Sequence, residues 1–135
     1  MTLNREERAI IVEHRLEKAH ETFIEAKDLT SLSHWRGAAN RLYYACYYAA
    51  TALLIQHGHI TRTLGGVLGL FSKHFVVPGL FSKEQNKMFQ RLFDLRQSGD
   101  YSDWVSVERS DVEPFIRSVE DFISQMEKLI DDDAN

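Results

Sequence analysis

Ala38-Ala39-Asn40-Arg41-Leu42-Tyr43-Tyr44-Ala45-Cys46-Tyr47-Tyr48-Ala49-Ala50-Thr51-Ala52-Leu53-Leu54-Ile55 is the stretch that decides the fold. No proline or glycine interrupts it, and apolar or aromatic side chains occur nearly all the way round. It therefore predicts a buried central helix over about 34–56, stopped by Gly58. Its alanines allow neighbouring helices to approach closely. Tyr43, Tyr44, Tyr47 and Tyr48 fill space and bring hydroxyls that need partners or water. The apolar run from Leu42 to Ile55 is well short of the roughly 20 residues of a membrane span, and Arg41 adjoins it.

Working outward, Asn4 and Glu7 have the spacing of a capping box, so a first helix is expected from Asn4 to about Leu29. Its apolar stripe is Ile10, Ile11, Leu16, Ala19, Phe23 and Ala26. A short third helix is expected around Thr63 to His74, weakened by Gly65, Gly66 and Gly69. Ser82 and Gln85 form a second capping box and open a fourth helix, which Gly99 should end. Asp111 is expected to cap a last helix with Pro114 at N3 and a stripe of Phe115, Val119, Phe122, Met126 and Leu129. No strand alternation or internal repeat is visible. The expected fold is all-α: an antiparallel up-and-down bundle of four long helices plus one short one. One domain over residues 1–130 is expected, followed by an acidic tail, 131–135, whose aspartates oppose the helix dipole and should fray.

The net charge of −4 conceals three blocks. Residues 1–35 carry −2, residues 36–96 carry +6 and residues 97–135 carry −8. A basic middle suits a polyanion-binding face, or the blocks pair with one another across the bundle. Lys83, Lys87 and Arg91 share one helix face at i, i+4 and i+8 and are candidate phosphate contacts for RNA. The N-terminus is charged and unlike a signal peptide, so the cytoplasm is the expected location.

Several chemistries lack their residues. The sequence has no G-x-S-x-G and no Walker or Rossmann phosphate loop, and its single cysteine, Cys46, lies mid-helix in an apolar run. A di-iron bundle needs two Glu-x-x-His pairs, and only Glu17–His20 has that spacing. No cofactor or metal is expected. Arg41 is the polar group that most needs an explanation, because an unpaired guanidinium is costly inside an apolar helix. Tyr44 and Tyr48 follow it at i+3 and i+7, on its face. Arg96 closes the fourth helix, and a turn at Gly99 would aim Asp100 and Tyr101 back toward it. Two readings fit: the arginines pair with carboxylates such as Asp94 or Asp100, or Arg41, Arg96, Tyr44, Tyr48 and Asp100 line a ligand cleft.

At these residues the chain resembles the HEPN family, in particular its small single-domain bacterial and archaeal branch. Residues 38–45 with 49–54 resemble its second-helix signature, and residues 71–76 and 92–101 resemble its other two blocks. The resemblance spans about residues 8–130. It implies a helical bundle paired as a homodimer, often encoded beside a minimal nucleotidyltransferase partner in toxin–antitoxin pairs. Many such proteins are metal-independent ribonucleases, in which an Arg, four to six residues, then a His meet across the dimer cleft. Arg96 holds the arginine position. Where the histidine belongs, this chain has Tyr101, Ser102 and Asp103, and phenol is a poor proton carrier near neutrality. Leu64 stands where relatives often carry another histidine, and His74 is a candidate substitute. The resemblance therefore implies a homodimeric module that binds a nucleotide or a partner segment, or alternatively a ribonuclease toxin using Arg96 with Tyr101 or His74.

Overall fold

The computed structural model describes residues 3–101 and 106–134, without the side chains of residues 98–101 and 134. Its elements are α1 (Arg5–Ser31), α2 (Trp35–Gln56), α3 (Leu64–Phe71), a π-helical turn (Ser72–Val76), α4 (Lys83–Tyr101), α5 (Arg109–Val112) and α6 (Phe115–Ala134). Among the described residues there is no strand. The four long helices α1, α2, α4 and α6 form the all-α bundle expected from the sequence. No helix among the described residues is long and apolar enough to cross a membrane.

Two of the helix starts follow directly from local chemistry. Asn4 Oδ1 accepts from the Glu7 amide at 2.8 Å, and the Glu7 carboxylate accepts from the Asn4 amide at 3.0 Å. The Ser82 and Gln85 side chains each accept from the other's amide, at 3.0 and 2.9 Å. The α1–α2 connection is tight. Ser33 takes a left-handed φ of 61°, and the His34 amide donates to the Leu29 carbonyl at 2.9 Å.

α2 is the centre of the molecule. Ala38, Leu42, Tyr43, Ala45, Cys46, Ala49, Ala50, Ala52 and Leu53 are all fully buried. Ala19 and Ala26 of α1 are buried too, so α1 and α2 meet through small side chains at close range. The other wall of the core is aromatic. Phe122 of α6 lies 5.5, 5.6 and 5.8 Å, centroid to centroid, from Phe71, Phe81 and Phe89. Burial pushes the Cys46 thiol up, so it is a packing residue and not a nucleophile.

Four expectations need correction. Gly99 does not end α4, which continues to Tyr101, so the turn expected to aim Asp100 and Tyr101 back is not made. The last helix begins at Phe115, because Glu108 caps the separate short turn α5 with Asp111 as its N3 partner, and Pro114 sits in the break. Ile10 is 66% exposed and does not belong to the core stripe. The third helix keeps its glycines but gives way at Ser72 to the π turn. α6 also runs on through the acidic residues to Ala134, where Asp133 lies 3.1 Å from His57 Nε2.

The glycines of α3 differ in what surrounds them. A Cβ on Gly66 would collide with the Thr61 hydroxyl and meet Thr63 Oγ1 at 2.7 Å, the oxygen that caps the helix. A Cβ on Gly69 would meet nothing within 4 Å. Gly69→Ala is expected to stabilise the fold by up to about 1 kcal/mol. Gly66→Ala is expected to destabilise it, because losing the cap costs about 1 kcal/mol and the collision adds to that. Urea midpoints for the two variants should move in opposite directions.

Candidate functional site

Arg41 and Tyr44 leave α2 on one face, as their i, i+3 spacing requires. The Arg41 guanidinium stands 5.2 Å from the Tyr44 ring centroid, and the Arg96 guanidinium from α4 stands 5.7 Å from the same ring. Two cations thus converge on one half-buried tyrosine. Asn40 orients Arg41 by accepting from Nε at 3.1 Å and from one terminal nitrogen at 2.6 Å. The carboxylate near Arg41 is Glu25 of α1 at 3.7 Å, and Glu25 is itself more than half exposed. Asp94 instead accepts from Gln90 at 3.2 Å. The intramolecular neutralisation of Arg41 is therefore loose and open to solvent.

The aromatic surface continues along α2. Tyr44, Tyr47 and Tyr48 are each half-buried, with mutual centroid separations of 5.6–6.1 Å. Lys18 Nζ of α1 sits 4.9 Å from the Tyr48 ring centroid. Behind this strip Tyr43 is fully buried, and its hydroxyl has no hydrogen-bond partner among the described residues. Burial pushes the Tyr43 phenol well up, so it stays neutral. Cations interleaved with exposed aromatic faces suit an anionic, planar ligand.

The remaining candidates fall elsewhere. The side chains of Asp100 and Tyr101 lie outside the described residues. His74 stacks on His59, with centroids 3.8 Å apart, beyond the C-terminus of α2. Arg41 is near the other end, about 20 Å away along the helix axis. The structure thus does not bring His74 to the arginine pair within one protomer. Lys83, Lys87 and Arg91 are exposed and form no ion pair among the described residues. At 3.6 residues per turn they lie roughly 140–180° round α4 from Arg96, on its opposite side.

Sequence reasoning missed Asn40 and Lys18. The first was adjacent to Arg41 and legible as a possible acceptor; the second meets Tyr48 only through the α1–α2 packing. His20 of the Glu17–His20 pair bonds Glu127 at 3.1 Å across to α6. Among the described residues no three His, Cys, Asp or Glu are grouped to hold an ion. A groove of about 740 Å³ runs between α1 and α6. Its lining carries five carboxylates, Glu13, Glu17, Glu127, Asp131 and Asp133, against the two cations Arg5 and Arg8, so it suits a polyanion less well than the arginine face does.

Comparison with known proteins gives the family. The chain is 37% identical over 126 residues to a UPF0332 protein of Thermotoga maritima, covering 93% of this chain and 96% of that one. It is 28% identical over 115 residues to a Methanocaldococcus jannaschii protein named as a candidate toxin, covering 85% of each. A second such protein from the same organism is 23% identical over 119 residues, covering 88% of this chain and 81% of that protein. The model of the HEPN domain matches residues 12–129, from the third turn of α1 to the penultimate turn of α6, so the chain belongs to the HEPN family.

Proposed function

We propose that this HEPN domain is a toxin-type, RNA-related module that works as a homodimer and holds a nucleotide or an RNA phosphate at Arg41, Tyr44 and Arg96. The observation that carries the reading is the convergence of both guanidiniums on one half-buried ring. A phosphate set against this pair would accept charge-assisted hydrogen bonds from both guanidiniums. Tyr44 gives the ligand a stacking face, with Tyr48 and Lys18 extending the strip. A second copy set against the tyrosine strip would turn this face into a cleft with two arginine pairs. The naming of relatives as candidate toxins supports a place in a toxin–antitoxin pair, with a minimal nucleotidyltransferase as the partner class.

Fluorescence anisotropy with labelled single-stranded RNA, and competition by ADP, tests the reading. Binding should weaken with salt, with a log–log slope of about −0.7 for each phosphate contacted. Binding that ignores salt, or no binding of either ligand, would defeat it. Sedimentation of the same samples should give a dimer.

A second reading is a metal-independent ribonuclease. It is favoured by the position of Arg96 in the family's arginine motif and by the toxin names of relatives. Its proton carrier would be Tyr101, or His74 brought in from the partner subunit, with Lys83, Lys87 and Arg91 on the RNA backbone. Incubating RNA with the protein in EDTA separates the two readings. Cleavage that disappears in Arg96→Ala indicates the nuclease, and intact RNA beside salt-dependent binding indicates the module.

A further inference from the structure

A second cluster of polar groups lies farther along α2, separate from the arginine pair. Arg15 of α1 is half-buried and donates to Thr51 Oγ1 at 3.1 Å. The Thr51 hydroxyl is itself committed, donating to the Tyr48 carbonyl at 2.9 Å, so it presents only a lone pair to Arg15. No carboxylate lies within ion-pair distance of Arg15 among the described residues. Most of its five N–H donors are thus unused by the protein. A half-buried guanidinium with one neutral hydrogen bond and no counterion is a strong donor set waiting for an anion.

The surroundings form a pocket and not a flat surface. A cleft of about 70 Å³ opens beside Arg15, lined by Tyr47, His59 and Thr61 and by apolar residues that include Leu54 and Val67. No acidic residue lines it. The His59 imidazole is pushed below its usual range by burial and by His74, His57 and Lys73, so the neighbourhood is already rich in positive or protonatable groups. Thr61 and Val67 bring the start of α3, with its positive dipole end, to the rim. The cleft has room for a tetrahedral anion.

We infer that Arg15, Tyr47, His59 and Thr61 form a second anion site on this domain, built to hold one phosphoryl group, with Thr51 as the residue that positions Arg15. The guanidinium engages two oxygens of the phosphoryl group, and the hydroxyls of Tyr47 and Thr61 donate to the others. His59 on the rim becomes a donor when protonated. The site draws on α1, the C-terminal half of α2 and the loop before α3, and nothing in it depends on Arg41 or Arg96.

The test is a titration of the full chain with inorganic phosphate at constant ionic strength, following the His59 ring by NMR against a chloride control. A saturable shift is expected, and the acid titration of His59 should move upward when phosphate is bound, because the anion favours the imidazolium. Arg15→Gln should weaken the response about ten-fold or more. Arg15→Lys, which keeps the charge and the stem but loses the fork, should fall between the two and serves if the glutamine variant does not fold. Arg117→Gln, which removes an exposed cation from α6, should leave the response intact and so exclude a simple charge effect. RNA dinucleotides with and without a 5′-phosphate then distinguish a terminal RNA phosphate from the free ion as the source. A response that never saturates, or one equal in wild type and Arg15→Lys, overturns the site.

Discussion

Replacing Phe122 by alanine is expected to cost about 4 kcal/mol, the largest single loss of stability in this molecule. The side chain is fully buried, and its ring meets Phe71, Phe81 and Phe89 at centroid distances under 6 Å. Those three belong to α3, the segment before α4, and α4 itself, so Phe122 ties α6 to the rest of the bundle through one cluster. The cavity cannot close easily, because its other walls are rings already packed against one another, Phe71 on Phe81 at 5.1 Å and on Phe89 at 5.9 Å. Domains of this size hold only about 5–15 kcal/mol in total. Urea unfolding should therefore show a large fall in midpoint at unchanged slope, and a loss under about 1.5 kcal/mol would mean that the cluster is not the keystone.

The parts of the fold that were legible in the sequence are those fixed by neighbours along the chain. The boxes at Asn4–Glu7 and Ser82–Gln85 were readable because each joins groups three residues apart just before an apolar helix, and the apolar circumference of α2 marked it as the centre. Where the reading failed, tertiary context outweighed a local signal. Gly99 has the composition of a stop, yet a glycine costs a helix only about 1 kcal/mol, and α4 continues through it. Asp111 looks like a cap, but Glu108 takes that role one turn earlier and Pro114 divides the segment. Ile10 fits the helical period and still faces solvent, because α1 turns its buried side toward α2 through Val12, Leu16 and Ala19.

The candidate site divides along the same line. Arg41 with Tyr44 follows from helical spacing alone. The approach of Arg96 to that ring depends on how α4 crosses α2, and in the sequence it was one of two open readings of the arginines. Arg15 and Thr51 are 36 residues apart, and neither is unusual in its own helix. The stacking of His59 on His74 was equally hidden, since it depends on the return path made by α3 and the π turn. The proposed sites are made mostly by contacts between helices, which periodicity does not report.

The second large effect is expected at the arginine pair, and it tests whether the two cations serve one ligand. A hydrogen bond to a charged group contributes about 1.5–3 kcal/mol, so Arg41→Gln and Arg96→Gln should each weaken RNA or nucleotide binding roughly ten- to a hundred-fold. If both guanidiniums grip the same phosphate, the double variant will lose less than the two single losses combined, with a coupling of about 0.5–3 kcal/mol. If they hold separate anions, the losses will simply add. Tyr44 supplies an internal control: its ring faces both cations, so Tyr44→Phe should bind nearly as well as wild type while Tyr44→Ala should not. Additive arginine losses together with a tolerant Tyr44→Ala would separate the two charges and leave the shared-phosphate site without its physical basis.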